Sequence, residues 1–236
     1  MLYNLNDCTL TMNAPMTQLV SMPLFPLKTV LFPGMLLPLH IFEERYKTMV
    51  RECLEKEEPF GVVLIREGSE VGETPEPHRI GTSAIIARAT KLTGERYNIL
   101  SVGYQRFRVH SLSYEQPYLS GLVETLEPVD GETEEAYRKA QELRPHLQSY
   151  IRLLADITET SVNLSEMPDR PVLLAYVAAI LLQVPLADKQ KLLAIDTIPE
   201  LLAREMVLLA RERQLLDANI GTEYTLDAGE SAFSAN

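Results

Sequence analysis

The sequence predicts an α+β protein, a bent β-barrel with one early helix followed by a C-terminal helical bundle, and three observations carry that prediction. The stretch from Pro23 to Tyr46 is too apolar for a loop, yet Pro23, Pro26, Pro33 and Pro38 exclude a helix interior and the centre of a sheet. Short apolar runs separated by Gly and Pro turns then continue to Leu126, as in a small barrel. Beyond the turn cluster Pro128-Val129-Asp130-Gly131 strand signals stop and apolar residues take up helical spacing.

In the first stretch the sharpest bend is Phe32-Pro33-Gly34. Pro33 fixes φ where a turn begins, and Gly34 is free to take the positive φ that a type II turn needs next. From Glu43 onward Tyr46, Met49, Val50, Cys53 and Leu54 form one helical face, and Glu43 and Glu44 favour the positive end of its dipole. Phe60 to Ile65 reads as a strand buried on both faces. Arg66 to Arg79, with Gly68, Gly72, Pro75 and Pro77, reads as a surface loop. Ile80 to Ala87 is a further strand, Leu92 to Arg96 a hairpin turn centred on Gly94, and Tyr97 to Val102 its return. In Gln105 to His110, Phe107 and Val109 alternate with Arg106, Arg108 and His110, the pattern of a half-buried strand. Tyr118 to Leu126 supplies the last one.

In the helical part, Ala136, Ala140, Leu143, Leu147, Tyr150, Leu154 and Ile157 recur in four-three alternation, a seam for packing on another helix. The seam runs through Pro145, which predicts one kinked helix or two in line. Asp169 is placed to cap the next helix, which is apolar all round as a central helix should be. Leu186 to Ile195 is a shorter helix, and Thr197 with Glu200 forms a capping box for the last one. The expected organisation is a disordered segment at 1–18, a β domain at 19–128, a helical subdomain at 129–217 and a disordered tail at 218–236.

Composition bounds the function. A content of 46% hydrophobic and 23% charged residues is that of an ordinary globular protein. The net charge of −11 argues against broad nucleic-acid binding, which needs a Lys/Arg surplus. Cys8 and Cys53 lack CxxC spacing, and His40, His78, His110 and His146 stand far apart, so neither a metal nor any other cofactor is expected. Met1 to Val20 lacks the basic and apolar regions of a secretory signal. The longest apolar run, Pro171 to Leu182, falls short of the roughly 20 residues that span a bilayer. A cytoplasmic protein without membrane contact is the expectation.

Leu24-Phe25-Pro26-Leu27, Phe32-Pro33-Gly34, Leu37-Pro38-Leu39 and Ile41-Phe42-Glu43-Glu44-Arg45-Tyr46 resemble the opening of the Lon protease N-terminal domain, a PUA-like fold. Arg79-Ile80-Gly81-Thr82, Gly94 to Ile99 and Val102 to Val109 are similar to that family's later β motifs, and Leu181 to Leu193 to its helical half. The resemblance covers about residues 20 to 217. It implies a free-standing, non-catalytic module that recognises unfolded or tagged polypeptide, in company with a full-length protease or a second copy of itself. The chain has no Gly-Lys dipeptide for an ATPase phosphate loop, and the family's Ser-Lys proteolytic module normally follows that ATPase.

Phe25, Val30, Leu31, Phe32, Met35 and Leu36 are more apolar side chains than a short bent sheet readily buries, and an exposed patch of them would bind extended chains. The same six residues also suit a core. A second candidate site uses Arg88, Arg96, Arg106 and Arg108, which on one barrel face would attract a small anion or RNA. Docking of the helical half onto that face, or simple solvent exposure, competes with this reading.

Overall fold

The computed structural model describes residues 18–67, 76–164 and 167–231. Of the segment expected to be disordered at 1–18, residues 1–17 lie outside these, as does the centre of the Arg66 to Arg79 loop. Among the described residues the strands are β1 (Leu19–Leu27), β2 (Leu36–Ile41), β3 (Phe60–Glu67), β4 (Glu76–Lys91), β5 (Tyr97–Ser113) and β6 (Ser120–Leu126). The helices are α1 (Glu44–Lys56), α2 (Glu134–Ile157), α3 (Pro171–Leu181), α4 (Leu186–Leu193) and α5 (Ile198–Ser231).

Prolines dictate how β1 is used. Its first half pairs antiparallel with β6, from Leu19↔Glu124 to Pro23↔Ser120, and its second half pairs parallel with β3, from Leu24↔Gly61 to Leu27↔Leu64. Pro23 and Pro26 carry no N–H, so a strand that serves one neighbour at a time tolerates them where a central strand would not. The sheet runs β2-β5-β4-β3-β1-β6, and β5 also pairs with β6, which closes a barrel of β1, β3, β4, β5 and β6. β4 and β5 are 16 and 17 residues long, more than the barrel uses. Their overhanging hairpin, closed at Gly94 with φ +72, takes β2 as a third strand from Leu36↔Val102 to Ile41↔Tyr97. β5 is thus one strand where the sequence suggested two.

The Phe32-Pro33-Gly34 bend fixes where β2 begins. Gly34 has φ +82, and Met35 N donates to Phe32 O at 3.1 Å, closing a type II turn of the predicted kind. Gly34 N donates to Gly103 O at 2.8 Å, and Gly103 N donates to Met35 O at 2.9 Å. A Cβ on Gly103 would stand 2.2 Å from Phe32 O, so only glycine permits this approach of two backbones.

α1 buries Tyr46, Met49, Val50 and Cys53 against Phe25, Leu31, Phe60 and Ile99 at one end of the barrel. Phe107, Val109, Val123 and Leu24 fill the interior beside it. α2 begins at the cap Thr133, whose Oγ1 accepts from Ala136 N at 3.2 Å, and continues through Pro145 as a single helix. Asp169 does not cap α3. Pro171 holds the first helical position, which makes Arg170 the cap residue, and Asp169 pairs with Arg144 at 3.2 Å. The backbone of α5 stays helical to Ser231, so the change to small and polar residues at Ala218 does not end it.

The bundle core gathers Leu143, Leu147, Tyr150, Leu174, Leu182, Leu202 and Leu209, and it takes Val30 and Phe32 from the barrel side. Glu205 lies in this interior at zero exposure with neither carboxylate oxygen bonded. Lys189 Nζ, 5.8 Å from the Phe32 ring, donates to Ala179 O at 2.6 Å and Ile180 O at 2.8 Å. Burial holds the Glu205 carboxyl well above the usual carboxylate range, against the pull of Lys189, and lowers Lys189 itself to about 8.

Gly103→Ala is expected to cost about 1–3 kcal/mol by overpacking, read as a lower urea midpoint at unchanged m; a change under about 0.5 kcal/mol would show that the turn is free to withdraw. A carboxyl raised in the folded state keeps its proton while the unfolded chain loses it, so its contribution falls as pH rises from about 4.5. Glu205→Gln should therefore gain stability relative to the parent between acid and neutral pH, and parallel pH profiles for the two proteins would contradict the neutral buried carboxyl.

Candidate functional site

Of the six apolar residues singled out from the sequence, four are core. Phe25 is 7% exposed and stacks on Tyr46 with ring centroids 4.0 Å apart. Val30, Leu31 and Phe32 are buried, and the buried Thr82 hydroxyl donates to Leu31 O at 2.6 Å. The reason is the turn, which lies down on Gly103 and sends Phe32 into the bundle cluster rather than to solvent. Met35 is half-buried, and Leu36 alone of the six is open, at 59%.

Leu36 starts a surface that the overhanging hairpin builds. Along β2 the side chains alternate, with Leu37 and Ile41 buried inward and Leu36, Pro38 and His40 outward. The register sets Leu36 beside Val102 and Val102 beside Ile85, and Pro38 beside Leu100 and Leu100 beside Arg88. Tyr104 continues the outward row on β5 at 55% exposure, with Ile85 at 45%. Phe42, just past β2, is exposed and its ring lies 6.0 Å from that of His40, which shares a 2.6 Å hydrogen bond with Asn98. β2 is the outer strand of this sheet, and Pro38 sits where an edge tolerates it. An apolar, aromatic-rimmed face beside a strand edge suits an extended chain.

The four arginines do not share a face. Arg88 stands exposed on this surface, while Arg96 turns back at the hairpin tip to Thr93 O at 3.1 Å. Arg106 is 2% exposed and reaches the helical half, where it donates to Leu193 O at 2.9 Å, to Ile195 O and to Asp196 O at 3.4 Å. Arg108 pairs with Glu124 and Asp196, each at 3.8 Å. Two of the four thus join barrel to bundle.

The model of the ATP-dependent protease La (LON) substrate-binding domain matches residues 21–211. The chain belongs to this family. A Lon N-terminal domain protein from Xanthomonas campestris is similar in structure, with a TM-score of 0.60 and 27% identity over 80% of this chain and 98% of that one. The N-terminal domain of Lon protease from the Mycobacterium avium complex shares the fold at TM-score 0.60 and 18% identity, over 81% of this chain and 98% of that one. Lon protease of Anaeromyxobacter dehalogenans is 29% identical over 202 residues, 83% of this chain and 24% of that protein. Lon protease of Escherichia coli K12 is 26% identical over 87% of this chain and 26% of its own length. The chain spans about a quarter of the length of these curated relatives.

Within this Lon-family fold, several reactive side chains are buried or paired with one another. Cys53 is buried on α1, and burial, reinforced by Glu58 and Glu52, pushes its thiol up to about 11, far from a thiolate nucleophile. Glu52 accepts from the Tyr118 hydroxyl at 2.6 Å, and Glu43 pairs with Arg45 at 3.0 Å beside the Tyr46 ring. His110 bonds Glu124 at 2.8 Å. Among the described residues no three metal-ligating side chains come together, and no helix is long and apolar enough to cross a membrane.

The residues that sequence reasoning missed are Pro38, Phe42, Ile85, Leu100, Val102 and Tyr104. Their signal was present: a hairpin centred on Gly94 sets Ile85, Leu100 and Val102 across from one another, and adding Leu36 to that row needs only the pairing of β2.

Proposed function

We propose that this chain is a non-catalytic polypeptide-recognition module of the Lon type, which holds unfolded or tagged segments against the outward face of β2, β5 and β4. The observation that carries the reading is the cross-strand row Leu36–Val102–Ile85 with Tyr104, left open beside a strand edge. The family name supports polypeptide as the ligand class. The match lies within the substrate-binding part of Lon and outside any ATPase or protease region, which supports a binding role without bond cleavage. Such a module acts in the cytoplasm as an adaptor, a competitor or a holdase, beside a full-length protease or as pairs of itself. The reading of the four arginines as one anion or RNA face loses support because Arg96 turns back to Thr93 and Arg108 is paired with Glu124 and Asp196.

Fluorescence anisotropy of a labelled, permanently unfolded polypeptide tests this. Apolar binding should persist at high salt, where phosphate binding would weaken steeply, and a gel should show no cleavage. The double substitution Leu36→Ser and Ile85→Ser should weaken binding about tenfold or more with little change in stability, since both side chains are already half in water. Undiminished binding by a folded double variant would move the site elsewhere.

A further inference from the structure

Where the outward face of β5 meets the helical half there is a cleft of about 280 Å³, walled by Pro33, Gly34, Tyr104 and Leu173, with Arg106 and Tyr176 behind them. Tyr104 belongs to both the cleft and the apolar face, so a chain lying on that face has the cleft at one end of its path. The wall residues Tyr104 and Leu173 are 55% and 46% exposed, which gives the cleft an apolar mouth.

Its interior is cationic and incompletely bonded. The Arg106 guanidinium gives its two terminal nitrogens to three main-chain carbonyls at and just past the end of α4 and lies beside the Tyr176 hydroxyl, while its Nε–H has no acceptor. Among the described residues no carboxylate pairs with it, whereas Arg108 two positions on has both Glu124 and Asp196. Carbonyl dipoles leave the formal charge of a buried guanidinium unmatched, and an unsatisfied buried donor is costly. Both deficits are met by one ligand group, a carboxylate. The neighbouring carboxylate on this cleft, Glu127, lies at the exposed rim and accepts from Gln105 Nε2 at 3.1 Å.

We propose that this cleft receives the α-carboxylate at the end of a bound polypeptide, with Arg106 as the charge that selects it and Tyr104 and Leu173 holding an apolar final side chain. The inference rests on the polypeptide-recognition reading and adds a chain-end preference to it. A cavity this small suits a terminus with its last side chain better than a strand running through, and capture of a terminal carboxylate by buried donors is an established mode of peptide recognition.

The test uses the full chain and three labelled, unfolded peptides of one sequence ending in an apolar residue: the free acid, the C-terminal amide, and the amide with aspartate in the last place. The free acid should bind about tenfold or more tighter than either amide. Arg106→Met risks the joint between barrel and bundle, so the exposed Glu127→Gln serves as the variant: it should tighten the free acid and leave the plain amide unchanged. Equal binding of acid and amide would overturn the chain-end proposal while leaving polypeptide recognition intact, and no binding of any peptide would remove both. Aspartate amide binding as tightly as the free acid, or weaker acid binding by Glu127→Gln, would equally overturn it.

Discussion

The approach of the Phe32-Pro33-Gly34 turn to Gly103 is the constraint on which the rest of the molecule depends. Two backbones meet where one of them has no side chain, and three consequences follow from the hydrogen bonds exchanged between Gly34, Met35 and Gly103. Phe32 is driven into the bundle core. Leu36 is delivered onto β5 in the register that sets Leu37 and Ile41 inward and Leu36 outward. Tyr104, next to the glycine, is left facing solvent. The apolar surface is therefore a by-product of a close backbone contact in the barrel.

Barrel and bundle are joined by a mixture of apolar contact and backbone capture. Val30, Phe32 and Leu64 enter the helical core, while Arg106 holds the Leu193 carbonyl at the end of α4 and those of Ile195 and Asp196 just beyond it. Gln190 Nε2 donates to Ile80 O at 2.9 Å across the same joint. The joint also leaves partly unmatched groups inside, Glu205 and the Arg106 Nε among them.

Much of this was legible in the sequence because local chemistry determined it. Gly34 after Pro33 could serve only a turn of positive φ, the period of Tyr46, Met49, Val50 and Cys53 could serve only a helix with one buried face, and Thr133 caps where a helical seam begins. The candidate surface was less legible. Along β2 both alternating sets, Leu36 with Pro38 and Leu37 with Leu39, are apolar, so alternation does not say which faces outward; the pairing with β5 decides. Arg106 and Arg108 show the converse. The alternation with Phe107 and Val109 was read correctly, but Arg106 is covered by the end of α4 about ninety residues later in the chain, and a buried arginine bonded to main-chain carbonyls looks in sequence like a solvent-facing one. Asp169 failed as a cap for a smaller reason, that Pro171 moved the helix start by one residue.

The central claim is that binding occurs on the outward face of the overhanging sheet and leaves the Phe32 core undisturbed. Amide hydrogen exchange, measured with and without a permanently unfolded polypeptide, tests it directly. Slowed exchange concentrated in Leu36–Phe42 and in the facing stretches of β4 and β5, with α1 and the bundle unchanged, is the expected result. Protection confined to the helical half, or faster exchange around Phe32 as the core opens to admit the chain, would contradict the account.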